Sequence, residues 1–143
     1  MLQFVLIAAV LVLGVLAPGW PEDARGWLKG AGALLVFGGA LVLVLAARAL
    51  GSGFTPFPKP ADGGALVEEG PYGVVRHPVY SGGLLVAAGI SLALSPWALA
   101  PTAALAVVWA LKASVEERFL IARYPGYAGY CERTRYRLVP FVY

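Results

Sequence analysis

The sequence predicts an all-α integral membrane protein of about four apolar helices, the last two paired as a hairpin, followed by a cytoplasmic C-terminal helical segment. Two observations lead there. Hydrophobic residues fill 59% of 143 positions against 13% charged, with a positive mean hydropathy, a balance foreign to soluble domains of this size. The apolar residues are also gathered into runs: Leu2 to Ala17 holds one polar residue, Gln3, and Gly30 to Ala47 holds no charge. At ~1.5 Å per helical residue, each run crosses most of a ~30 Å hydrocarbon core.

No Lys or Arg precedes the first run, and Pro18 follows its only small-residue site, so it reads as a retained span rather than a cleaved leader. Pro18-Gly-Trp-Pro-Glu-Asp ends it, with Trp20 and Trp27 placed as anchors at the headgroup level. The second run carries Gly26-x-x-x-Gly30, then Gly32, Gly38 and Gly39, small residues that let helices approach closely within a bundle. Arg48 closes it. Gly51 to Ala65 is rich in Gly and Pro and reads as an irregular loop, with Phe54 and Phe57 at the membrane interface.

The densest gathering of chemistry follows in Gly70-Pro-Tyr-Gly-Val-Val-Arg-His-Pro-Val-Tyr-Ser-Gly82. Pro78 suits the first position of a helix and biases its predecessor away from helical geometry, so His77 belongs at a helix entrance. Tyr80 to Leu94 and Ala98 to Leu111 are apolar runs of 15 and 14 residues, separated by Ser95-Pro96-Trp97, a helix cap and first turn. The second continues through Glu116-Glu117 to about Tyr124, where Pro125-Gly126 stops it. The chain is thus one domain, with two spans in 1–50, a loop carrying the motif in 51–82, and the hairpin and C-terminal segment in 83–143.

The two ends of a hairpin return to one side of the membrane. That side holds Arg48, Lys59, Arg76, Lys112, Arg118, Arg123, Arg133, Arg135 and Arg137, and the other only Arg25 and Lys29. Nine basic residues of 11 on one side place the N-terminus, motif loop and C-terminus in the cytoplasm. One cysteine, Cys131, and one histidine exclude an internal disulfide and a protein-ligated structural zinc in a monomer. The expected partners are a bilayer and a small amphipathic molecule, not nucleic acid, and the expected location is a prokaryotic inner membrane.

The cytoplasmic side collects Tyr72, Arg76, His77 and Tyr80 from the loop and Glu116, Glu117, Tyr127, Tyr130 and Arg133 from the C-terminal part. Taken singly, Arg76 suits a lipid phosphate, His77 a helix cap and the glutamates a solvated helix end. Neighbours on a helix diverge by ~100°, so one glutamate binds a ligand while the other holds an arginine. Glu116 shares a face with Lys112 and Arg123, which leaves Glu117 as the freer of the two.

The succession Gly70-Pro-Tyr72, Arg76-His77-Pro78-Val-Tyr80-Ser-Gly82, an apolar hairpin, Glu116-Glu117 and Tyr127-x-x-Tyr130-x-x-Arg133 resembles the C-terminal signature of the isoprenylcysteine carboxyl methyltransferase family. The phospholipid methyltransferases share its general plan. The likeness covers about residues 66–140, roughly half the chain, and only two spans precede the motif, fewer than in the eukaryotic enzymes. It implies a membrane-embedded methyltransferase using S-adenosylmethionine without a Rossmann domain or a metal. Carried over by position, Arg76, His77, Tyr80, Glu116 and Glu117 bind the cofactor, while Arg133 and Tyr130 are catalytic, near the reacting group. The implied reaction is O-methylation of a carboxylate on a lipid-like acceptor. The alternatives are N-methylation of a phospholipid-type amine and a non-catalytic protein that packs helices or binds lipid.

Overall fold

The computed structural model describes residues 1–51 and 66–142, and the expectations for Phe54, Phe57 and Lys59 fall outside them. Among the described residues all regular structure is helical: α1 (Leu2–Leu16), α2 (Glu22–Leu50), α3 (Pro78–Leu94), α4 (Leu99–Arg123) and α5 (Tyr127–Arg133). Two 3-10 turns, Gly70–Gly73 and Pro96–Ala98, lead into the motif and into α4.

Among the described residues, two helices are long and apolar enough to cross a membrane: α2 with 29 residues, and the run Pro96–Arg123 with 28. The helix expected to run to about Tyr124 is found as α4, whereas Leu2 to Ala17, expected to be a full span, forms the shorter apolar helix α1. α1 closes after 15 residues, ~22 Å of rise. α4 gains length from its polar continuation beyond Leu111. α2 starts earlier than its apolar run because Glu22 and Asp23 favour the positive end of a helix, and Arg48 suits its last turn.

The chain divides into two compact units. The first comprises Met1–Leu41 and Gly82–Trp109. Its closest contact is between α2 and α3, where two glycines on each helix face two on the other. A Cβ on Gly32 would lie 2.5 Å from the Gly89 carbonyl oxygen, and one on Gly89 would lie 2.6 Å from that of Gly32. Gly39 meets the Gly82 carbonyl in the same way, at 2.6 Å. Gly26, Gly30 and Gly38 have nothing within 4 Å, so only Gly32 and Gly39 of the expected stripe are packed.

Polar side chains tie the helices of this unit together at several points. The Ser91 and Thr102 hydroxyls meet at 2.9 Å between α3 and α4. Gln3, the lone polar residue of the first run, accepts from Trp109 Nε1 at 3.2 Å. Ser95 accepts the Trp97 N–H, as a cap should, while its hydroxyl donates to the Pro18 carbonyl at 2.8 Å. Large apolar side chains of α1 and α2, among them Val15, Leu16, Leu34 and Phe37, lie exposed, a surface that needs lipid rather than water.

The second unit comprises Val42–Ser81 and Ala110–Tyr143. Gly70 takes φ +60, a conformation that glycine adopts without strain, and Pro71 starts the 3-10 turn behind it. The expected C-terminal helical segment is α5, and the described chain after it is not helical. Its carbonyls are committed elsewhere: Arg76 N–H donates to Tyr136 O and His77 N–H to Arg137 O, both at 2.9 Å. Ser81 Oγ donates to Leu138 O. The segment 134–138 is thereby stitched along the motif.

Candidate active site

The site lies wholly in the second unit and is built on a carboxylate. Glu117, 6% exposed, projects from α4 and receives three side chains. Arg76 Nε donates to its Oε1 at 2.6 Å, His77 Nε2 lies 3.3 Å from the same oxygen, and Arg137 Nε donates to Oε2 at 2.9 Å. Arg76 also donates to backbone, with Nη1 bonded to the carbonyls of Thr134 at 2.8 Å and Arg135 at 2.7 Å. Those two carbonyls would otherwise continue α5, so Arg76 both ends that helix and pins the chain after it. Arg137 Nη1 reaches Ser114 Oγ at 3.2 Å, one turn before its glutamate.

Glu116 is placed differently. Its side chain is 20% exposed, and its Oε2 accepts from Tyr80 OH at 2.8 Å with His77 Nδ1 3.8 Å away. Its Oε1 has no hydrogen bond among the described residues. Each nitrogen of the buried His77 ring thus faces a different carboxylate. That ring stacks on Tyr80 with centroids 5.6 Å apart and planes at 10°. Lys112, one turn before Glu116, sets its ammonium over the Tyr80 ring at 5.2 Å from the centroid. The guanidiniums of Arg76 and Arg137 and the ammonium of Lys112 thus gather around two carboxylates.

Five residues assigned from the motif, Arg76, His77, Tyr80, Glu116 and Glu117, are therefore brought together. The roles expected within the glutamate pair are reversed: Glu117 holds the arginines and Glu116 presents a free edge. The reason is Arg137, which lies beyond the resemblance's key positions and takes the carboxylate that helix phase alone leaves open. Arg135 and Arg137 entered the sequence reading only as positive charges, and nothing in their spacing singles out Arg137.

The other two assigned residues stand apart from this cluster. Arg133 is exposed and pairs with Glu68, beside a cleft of about 310 Å³ lined by Gly73, Val74, Tyr136, Pro140 and Phe141. Tyr130 is 2% exposed and donates to the Tyr72 carbonyl at 2.7 Å, tying α5 to the Gly70–Gly73 turn. Burial pushes its phenol up from the ordinary range, so it stays a neutral donor. Tyr127 packs edge-on against it, centroids 5.5 Å apart, and is equally buried. The Tyr127 hydroxyl has no hydrogen-bond partner among the described residues. No three His, Cys, Asp or Glu side chains among the described residues are grouped as metal ligands.

Comparison with known proteins matches residues 27–126 to the family model "Phospholipid methyltransferase", a stretch that contains the motif and both glutamates. A curated relative, the cobalt-zinc-cadmium resistance protein CzcN of Cupriavidus metallidurans, is 40% identical over 73 residues, 48% of this chain. The matched stretch spans 33% of that relative's length.

Proposed function

The chain belongs to the phospholipid methyltransferase family, and on that premise we propose that it is a multi-pass membrane enzyme that methylates the carboxylate of an amphipathic, lipid-like acceptor, with S-adenosylmethionine as donor. One observation carries the reading. Arg76, His77 and Tyr80 meet Glu116 and Glu117 in one buried cluster although 36 to 41 positions separate the partners.

The groups present fit that donor. The open Glu116 Oε1 can accept from ribose hydroxyls or an ammonium, the Tyr80 face favours a cation, and the orphaned Tyr127 hydroxyl offers a further polar contact. Glu117, braced by Arg76 and Arg137, holds the α4 side of this wall and orients His77. When bound, S-adenosylmethionine supplies a methyl group on a sulfonium, the C–S electron pair staying on sulfur as the acceptor's new bond forms. Most of the rate gain in such a displacement comes from alignment, which side chains held by mutual hydrogen bonds can provide. A carboxylate acceptor is already ionised at neutral pH, so no residue has to take a proton.

The family match favours a second acceptor, an amine headgroup. An amine arrives protonated and has to lose that proton before it can attack the methyl group. Transfer of labelled methyl groups by the full chain in lipid vesicles separates the readings. Prenylated thiol carboxylates or fatty acids as acceptors, with a rate flat between pH 6 and about 8, support carboxylate methylation. Transfer to aminolipids alone, with a rate rising over the same range, overturns it in favour of the amine.

A further inference from the structure

The ammonium of Lys112 rests over the Tyr80 ring, 5.2 Å from its centroid, while the Tyr80 hydroxyl is bonded to Glu116 and the ring stacks with His77. Lys112 opens the polar continuation of a candidate span, just beyond Leu111, and is half-buried against the cluster. The ring demonstrates that its face accepts a cation, and aromatic faces are what a site offers a sulfonium. Donor and product of the proposed reaction differ in charge at one atom: the sulfur is cationic in S-adenosylmethionine and neutral in S-adenosylhomocysteine.

We infer that Lys112 is a positioning residue that weakens binding of the cationic donor relative to the neutral product, by placing a like charge beside the Tyr80 face that the sulfonium needs. This rests on the reading of the cluster as the donor site. Like charges that share one aromatic face repel even at an effective dielectric of ~20. The repulsion is relieved as the methyl group leaves and positive charge drains from sulfur. Lys112 therefore favours transfer over donor binding, an effect that uniform tightening of the donor could not produce. Glu116 offsets part of the repulsion, because it draws both cations toward the same carboxylate.

Calorimetric affinities of the full chain in detergent for S-adenosylmethionine and S-adenosylhomocysteine test this in wild type, Lys112→Met and Lys112→Arg. Lys112→Met should tighten the donor about tenfold and move the product less than twofold. Lys112→Arg, which keeps the charge and the ring contact, should retain the wild-type ratio. Lys112→Gln gives the same reading as Lys112→Met if the methionine variant does not fold. A ratio unchanged on removal of the charge, or donor and product weakened together, overturns the role of Lys112 while leaving the donor site in place. Wild-type protein that binds neither molecule overturns the donor site and the inference with it.

Discussion

At the scale of single residues, Glu117 and Glu116 illustrate how adjacent carboxylates divide their work. Both oxygens of Glu117 are taken by Arg76, His77 and Arg137, so its loss leaves a nearly buried guanidinium, with Arg76 at 8% exposure, facing no anion. Breaking such a pair costs about 3–5 kcal/mol. Glu117→Gln should accordingly lower the thermal midpoint in detergent sharply, whereas Glu116→Gln should lower it little and weaken S-adenosylmethionine instead. Equal midpoints for the two variants would contradict the division. The neighbouring tyrosines make an opposed pair. Tyr130→Phe removes a buried bond to the Tyr72 carbonyl and should cost about 1–2 kcal/mol, while Tyr127→Phe deletes an unpartnered hydroxyl and should be neutral or stabilising by up to ~1 kcal/mol. The thermal midpoints of the two variants, shifted in opposite directions, check this. The motif made the gathering of Arg76, His77, Tyr80 and the glutamates legible from sequence. The division between Glu116 and Glu117 was not legible, because Arg137 decides it from an irregular segment whose path no periodicity encodes.

At the scale of elements, the α2–α3 contact depends on backbone approaching backbone. Gly32 and Gly39 are seven residues apart, as are Gly82 and Gly89, and antiparallel helices bring Gly32 to Gly89 and Gly39 to Gly82. Close packing of this kind, rather than apolar area, drives association in lipid. Gly32→Val puts side-chain atoms into a carbonyl and should abolish the folded form, seen as loss of monodisperse protein in detergent. Gly30→Ala meets nothing and should stabilise α2 by up to about 1 kcal/mol, since glycine is the poorer helix former. Comparable damage from both substitutions would show that the pairing is not what holds the helices. The hairpin turn was readable in advance, because Ser95-Pro96 is a local signal confirmed by the Ser95 cap. Which glycines pack was not readable. Gly26-x-x-x-Gly30 has the more familiar spacing, but the phase of the contact is set by Gly82 and Gly89 on another helix.

At the scale of the whole molecule, the arrangement in the bilayer rests on the charge asymmetry, and the chain's one thiol can test it. Cys131 lies on α5, partly exposed, between the exposed Arg133 and the buried Tyr130. In the proposed topology, nine basic residues against two put this segment on the cytoplasmic side. A membrane-impermeant maleimide should therefore label Cys131 in inverted vesicles and leave it untouched in right-side-out ones. Burial raises the thiol above its ordinary value, against a smaller downward pull from Arg76. A raised value means less thiolate at a given pH than a free thiol carries, and the thiolate is the reacting form. Labelling in inverted vesicles should thus be slower than that of free cysteine at pH 7.5. Its rate should go on rising beyond the pH at which reaction with an unperturbed thiol levels off. Labelling confined to right-side-out vesicles would invert the topology, place the carboxylate cluster away from cytoplasmic S-adenosylmethionine, and so remove the donor from the proposed reaction.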